Sequence, residues 1–210
     1  MVGTVIAKVS GAAGGATLAV EGGTSSTTYE LSKTDGSAND HLKTDGSGNL
    51  AWVAPPAGGL TAASQWFLTA DFTGDATPII TNLIEANAPA GYGRLGSSMT
   101  MSSGIFTFPA TGIWWVQFST WATNTNYYGH QIYITTTTDN STYVNAAYGS
   151  HMKAQSAGWG VANISILFDV TDTTQCKCTF NAVQEGATVT TKGNSAINET
   201  YMTFLRLADT

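Results

Sequence analysis

From Leu60 onward apolar and polar side chains alternate in short runs. In GIFTFPATGIWWVQFSTW (104–121), Trp114, Val116 and Phe118 fall on one side of an extended chain. Trp115, Gln117 and Ser119 fall on the other. A period of two is that of a strand with one buried face. The same run yields two strands, with Gly112 ending the turn after Pro109. HQIYITTTT (130–138) reads as a further strand, closed by Asp139-Asn140. Ala162, Ile164, Ile166, Phe168 and Val170 alternate with Asn163, Ser165, Leu167 and Asp169, again half-buried. Cys176, Cys178 and Phe180 mark another strand, and ETYMTFLRLA (199–208) the last. No segment of eleven or more residues combines an apolar 3.6 period with an N-cap. The pattern predicts an all-β domain over 60–210 with roughly eight to ten strands, a sandwich or a barrel.

The N-terminal part reads differently. Val2, Val5, Ile6 and Val9, then Leu18 and Val20, suggest two short strands with a glycine-rich turn, GAAGGA (11–16), between them. The pentapeptide KTDGS then occurs twice, at 33–37 and 43–47. APPAGG (54–59) is a boundary, stiffened by its prolines and released by its glycines. The division expected is therefore 1–59 and 60–210.

Both repeats place oxygen ligands at the first, third and fifth positions of a calcium loop: Asp35, Ser37 and Asn39, then Asp45, Ser47 and Asn49. A calcium loop of the EF-hand type also needs Gly at position 6 and Glu at 12. Asp40 or Leu50 stands at 6, and Gly46 or Pro56 at 12, so neither repeat completes the site. Phosphate-loop spacing is missing too. The structural reading fits better: one Asp-Gly turn unit used twice, carrying sparse apolar side chains. Leu31, Leu42, Leu50 and Trp52 are the candidates for burial. They are too few to fold one copy alone. Three chains about a threefold axis would bury them against each other, so the repeat is expected to form a trimer neck.

Charge changes the picture next. Only 10% of the 210 residues are charged, against roughly 25% in ordinary soluble domains. The net charge is -6, and the eight Lys and Arg are scattered. Nucleic-acid binding has no electrostatic footprint, and no apolar stretch is long enough for a membrane helix. No signal peptide is read at the N-terminus. A polar but weakly charged surface of this kind is typical of β-rich extracellular, secreted or virion-surface proteins; without a secretion signal it fits a virion component made in the host cytoplasm and released by lysis. The two cysteines, Cys176 and Cys178, share one face of a strand and read as core side chains, without zinc-ligand spacing around them. His41, His130 and His151 (the last in a loop, GSHMKAQS) stand near no Ser and Asp in triad style, and no GxSxG elbow occurs. The acids fall mostly in turns, not as a glycosidase pair. Neither catalytic residues nor a cofactor or metal are expected. The sequons at Asn140, Asn163 and Asn198 are chance matches in a Thr/Ser/Asn-rich chain. Tyr127, Tyr128 and Trp159, beside Asn and Gly, form a candidate glycan-contact set, since aromatic faces stack on sugars. Packing in an interface is the competing use of the same side chains.

Two resemblances sharpen these expectations. YELSKTDGSANDHLKTDGSGNLAWV (29–53) resembles the DGSG segment of bacteriophage tail fibres and related appendage proteins, with His41 where a small or apolar residue is usual. That implies an N-terminal arm, 1–59, attached to a major capsid or tail protein. GIFTFPATGIWWVQFSTW and TYMTFLRL (200–207) resemble strands of the C1q/TNF-like jelly roll. That implies a ten-stranded sandwich assembled as a homotrimer, with both termini at its base. Together they imply a non-enzymatic capsid decoration (cement, head-fibre) or short tail-fibre protein. A carbohydrate-binding adhesin recognising a host surface glycan is the alternative, and a polysaccharide hydrolase a more distant third.

Overall fold

The chain was analysed as a computed structural model, which describes residues 5–8, 17–20, 28–30, 36–47, 49–54, 59–86, 92–124, 128–153, 158–186 and 189–210. All regular structure among them is strand. The chain divides into two compact units, Met1–Gly58 and Gly59–Thr210.

In the first unit β1 (Val5–Lys8), β2 (Thr17–Val20) and β3 (Thr28–Glu30) form an antiparallel sheet in chain order. Two of these strands are legible in the apolar pattern. The third, TYE, is too short to show a period. β4 (His41–Thr44) and β5 (Leu50–Val53) form a separate hairpin. The turn between them is built on Asp45, whose Oδ1 accepts from the backbone N–H of Ser47 at 2.8 Å and of Asn49 at 3.2 Å. Asn49 Nδ2 donates to Asp45 Oδ2 at 2.6 Å, and Gly46 takes φ 81°. Of the first KTDGS copy only Gly36 and Ser37 lie among the described residues. There Ser37 N–H donates to Asp40 Oδ2 at 2.7 Å, and the left-handed residue is Asn39, φ 77°. ANDHL follows that copy and GNLAW the other, so a carboxylate three residues beyond Ser37 is present in the first only.

The second unit is a two-sheet sandwich. It contains β6 (Ala62–Leu68), β7 (Ala70–Thr73), β8 (Leu83–Glu85), β9 (Thr100–Ser102), β10 (Ile105–Thr107), β11 (Gly112–Asn124), β12 (Tyr128–Thr137), β13 (Val144–Lys153), β14 (Gly158–Val170), β15 (Lys177–Gly186), β16 (Thr190–Asn194) and β17 (Tyr201–Ala208). The first sheet runs β14-β11-β17-β6-β8, with β16 pairing the end of β11 and β7 pairing β16. The second runs β13-β12-β15-β10-β9. Successive long strands switch between the sheets: β11 in the first, β12 and β13 in the second, β14 back in the first, β15 in the second, β17 in the first. That alternation is jelly-roll topology.

The alternation read from the sequence places the core. Trp114, Val116 and Phe118 of β11 face Phe106, Phe180 and Cys178 of the second sheet from within one buried cluster. Phe106 sits among several rings, its centroid 5.3 Å from Trp66, 5.2 Å from Phe180 and 5.3 Å from Phe204. Edge-to-face contacts of this kind add to plain area burial. Cys176 and Cys178 are free thiols buried in the same cluster. Gly112 opens β11 at φ 135°, where a Cβ would lie 2.4 Å from Ala208 O. Only glycine lets the last strand pass there.

Candidate functional site

β11, β14, β17 and β6 turn every second side chain away from the core, and the pairing register aligns these into rows across the sheet. Ala63 of β6 stands opposite Leu205 of β17, Leu205 opposite Trp115 of β11, and Trp115 opposite Leu167 of β14. Four strands thus carry one uninterrupted apolar row on the outer side. Leu167, at the edge, is 68% exposed, and Trp115 and Leu205 are half-buried. The next row is polar: Gln65, Thr203, Gln117 and Ser165. Its amides are held in place, with Gln65 Nε2 donating to Thr203 Oγ1 at 2.9 Å and Gln117 Nε2 to Asn163 Oδ1 at 3.2 Å. The outer face is therefore a pattern of apolar and fixed polar rows, with no charged side chain in either. A contiguous exposed apolar strip with a polar border is what association surfaces look like.

Among the neck candidates, Leu42 lies directly opposite Trp52 in the hairpin, and Leu50 opposite Thr44, so the three apolar side chains share one face. Leu42 is 37% and Trp52 41% exposed. Trp52 packs against Gly36, where a Cβ would fall 2.8 Å from Trp52 Cγ. Leu31 lies outside the described residues. Among the glycan-contact candidates, Trp159 of β14 is 69% exposed. It is two residues from Val161 and on the same outward side as Leu167. Tyr127 lies outside the described residues, as does the side chain of Tyr128, whose backbone begins β12. The structure does not show these aromatics acting together.

The histidines part company. His41 is exposed on β4. His151 is not in a loop but in β13, directly across from His130 of β12. The expected loop started too early: β13 runs on through His151, Met152 and Lys153. His151 reaches between the sheets to Gly160 of β14, where a Cβ would sit 1.7 Å from its Cδ2. His130 is fully buried, and neither ring nitrogen has a hydrogen-bond partner. Burial, and the charge of His151 beside it, push His130 down to about 4. A catalytic base needs a nucleophile on one nitrogen and an orienting acceptor on the other; His130 holds neither contact. Among the described residues no three His, Cys, Asp or Glu side chains form a group able to hold a metal ion.

Sequence reading placed Trp115 and Leu167 on the polar side of their strands without seeing what they compose. The row becomes visible only through register, which sets Leu205 between Ala63 and Trp115. One signal was available: Leu167 is the lone large apolar residue among Asn163, Ser165 and Asp169.

No protein-family model matches the chain, and no curated protein matches it. Solved structures do. The Eiger TNF of S. frugiperda superposes with a TM-score of 0.54 at 8% identity, covering 70% of this chain and 93% of that one. Murine APRIL at pH 5.0 gives 0.51 at 10% identity, covering 70% and 98%. At such identities the likeness concerns the fold: residues of the second unit form a TNF-like jelly roll.

Proposed function

We propose that the protein is a non-enzymatic, homotrimeric structural component of a bacteriophage virion surface, a capsid decoration or short tail-fibre protein. Residues 1–59 dock it on a capsid or tail protein and continue as a trimeric neck; the jelly roll is displayed outward. The observation that carries the reading is the apolar row Ala63–Leu205–Trp115–Leu167 on the outer face of one sheet. In an isolated chain that row meets water. A second and third copy seated on it, with the fixed amide row giving orientation, would cover it and leave the other sheet outward. The hairpin supports the same reading, since a lone two-stranded hairpin is marginal in water and this one leaves Leu42 and Trp52 open. The resemblance of 29–53 to fibre segments supplies the virion context. Immunogold electron microscopy of purified particles from the host lysate tests it. Label on the head shell supports a decoration protein, and label at the tail supports a fibre. Unlabelled particles, with the protein left in the soluble lysate, overturn the virion role.

Glycan recognition through Trp159 is the second reading, favoured by that side chain's 69% exposure. It competes with assembly, because Trp159 shares its outward side with Val161 and Leu167. Loss of polysaccharide binding in Trp159→Ala with the oligomer intact would decide for recognition. Loss of the oligomer would decide for packing.

A further inference from the structure

The second sheet carries a feature that neither reading uses. On its outer side lies a cavity of about 530 Å3, inside the range of about 300–1,000 Å3 typical of small-molecule sites. Thr135 of β12 and Thr179 and Asn181 of β15 form its floor. Tyr133, Tyr143 and Pro78 are among its walls. The register explains the floor: Thr135 pairs with Thr179 and Tyr133 with Asn181, so four outward side chains of two neighbouring strands meet.

The floor is wired in one direction. Asn181 Nδ2 donates to Thr135 Oγ1 at 2.6 Å, and Thr135 Oγ1 donates to Asn145 Oδ1 at 3.1 Å. Thr135, almost fully buried, thereby spends its one donor and one of its two acceptor sites. Asn145 Nδ2 is left as donor at one end of the chain and Asn181 Oδ1 as acceptor at the other, with no hydrogen bond among the described residues, and the buried Tyr143 hydroxyl in the same lining also has no partner. A ligand that suits this pair offers both an acceptor and a donor. Hydroxyl groups do so, each being both. No charged side chain lines the cavity, so phosphate, carboxylate or ammonium groups would enter without a counter-charge. Tyr133 is fixed against Tyr148 at a centroid distance of 5.2 Å, and its hydroxyl donates to Gln131 Oε1 at 2.8 Å. Its ring therefore stands ready as an apolar wall for the C–H face of a ring-shaped ligand.

We propose that this cavity binds one or two units of a neutral saccharide, with Asn145 and Asn181 bonding its hydroxyls and Tyr133 or Tyr143 flanking the sugar ring. The cavity is built within one chain and opens on the sheet opposite the apolar row. The proposal therefore stands apart from trimer formation and from any contact at Trp159.

Saturation-transfer NMR on the full chain tests it, with methyl α-glucoside, N-acetylglucosamine and maltose as probes. Transfer to ring protons of at least one probe is expected. Asn181→Leu and Asn145→Ala should each weaken it about ten-fold or more, as losing one ligand hydrogen bond does, with circular dichroism unchanged. Trp159→Ala should leave it intact. Asn145 is exposed, so its variant folds even where Asn181→Leu does not. Absence of transfer from all three sugars overturns the proposal. So does transfer that survives Asn145→Ala, or that disappears in Trp159→Ala.

Discussion

At the scale of the residue, His130 couples folding to pH. It is buried, faces His151 from β13 and Gln184 from β15, and is held down to about 4 against 6.5 when exposed. The unfolded chain therefore binds a proton between those two values that the folded chain refuses. Stability is complete above pH 6.5 and falls as pH drops toward 4, by on the order of 3 kcal/mol at the limit. Thermal unfolding followed from pH 7 to pH 4 should show this fall, and His130→Phe should flatten it; parallel curves for the two proteins would refute the assignment. Gly160 makes a second point. A methyl group there displaces the His151 ring, so Gly160→Ala should cost about 1–3 kcal/mol by overpacking, read as a lower urea midpoint. Neither residue's role was legible in the sequence. His130 and His151 are twenty-one positions apart in SHxx and GHQ contexts that say nothing of pairing, and only the β12–β13 register brings them face to face.

Elements were far more legible. The period of two in 112–119 and 162–170 places each inward side chain of β11 and β14 correctly, because one face of each strand is buried and the register cannot slip by one residue. The same logic failed where burial is slight. β13 carries Val144, Tyr148 and Met152 exposed, so it lacks the apolar alternation of a half-buried strand and part of it reads as loop. Phe106, fully buried between the sheets, belongs to a three-residue strand, β10. Its truncation leaves Trp66, Phe180 and Phe204 without their shared partner. Phe106→Ala should cost about 3–5 kcal/mol, measured by chemical unfolding. A loss below about 1 kcal/mol would contradict this.

At the scale of the whole molecule, the two faces of the jelly roll differ in kind. One presents an apolar row beside a polar row fixed by Gln65 and Gln117; the other presents a neutral, hydroxyl- and amide-lined cavity. Under the proposed function these faces divide the labour, one sheet turned toward further copies of the chain and the other toward solvent. Leu167 is exposed in the single chain, so Leu167→Asp leaves folding nearly untouched while placing a charge in the proposed interface. The variant should be monomeric with an unchanged circular dichroism spectrum. The most direct test is multi-angle light scattering of the unaltered full chain at micromolar concentration. The account predicts three times the 21.9 kDa chain mass, about 66 kDa; a single species at 21.9 kDa would contradict it.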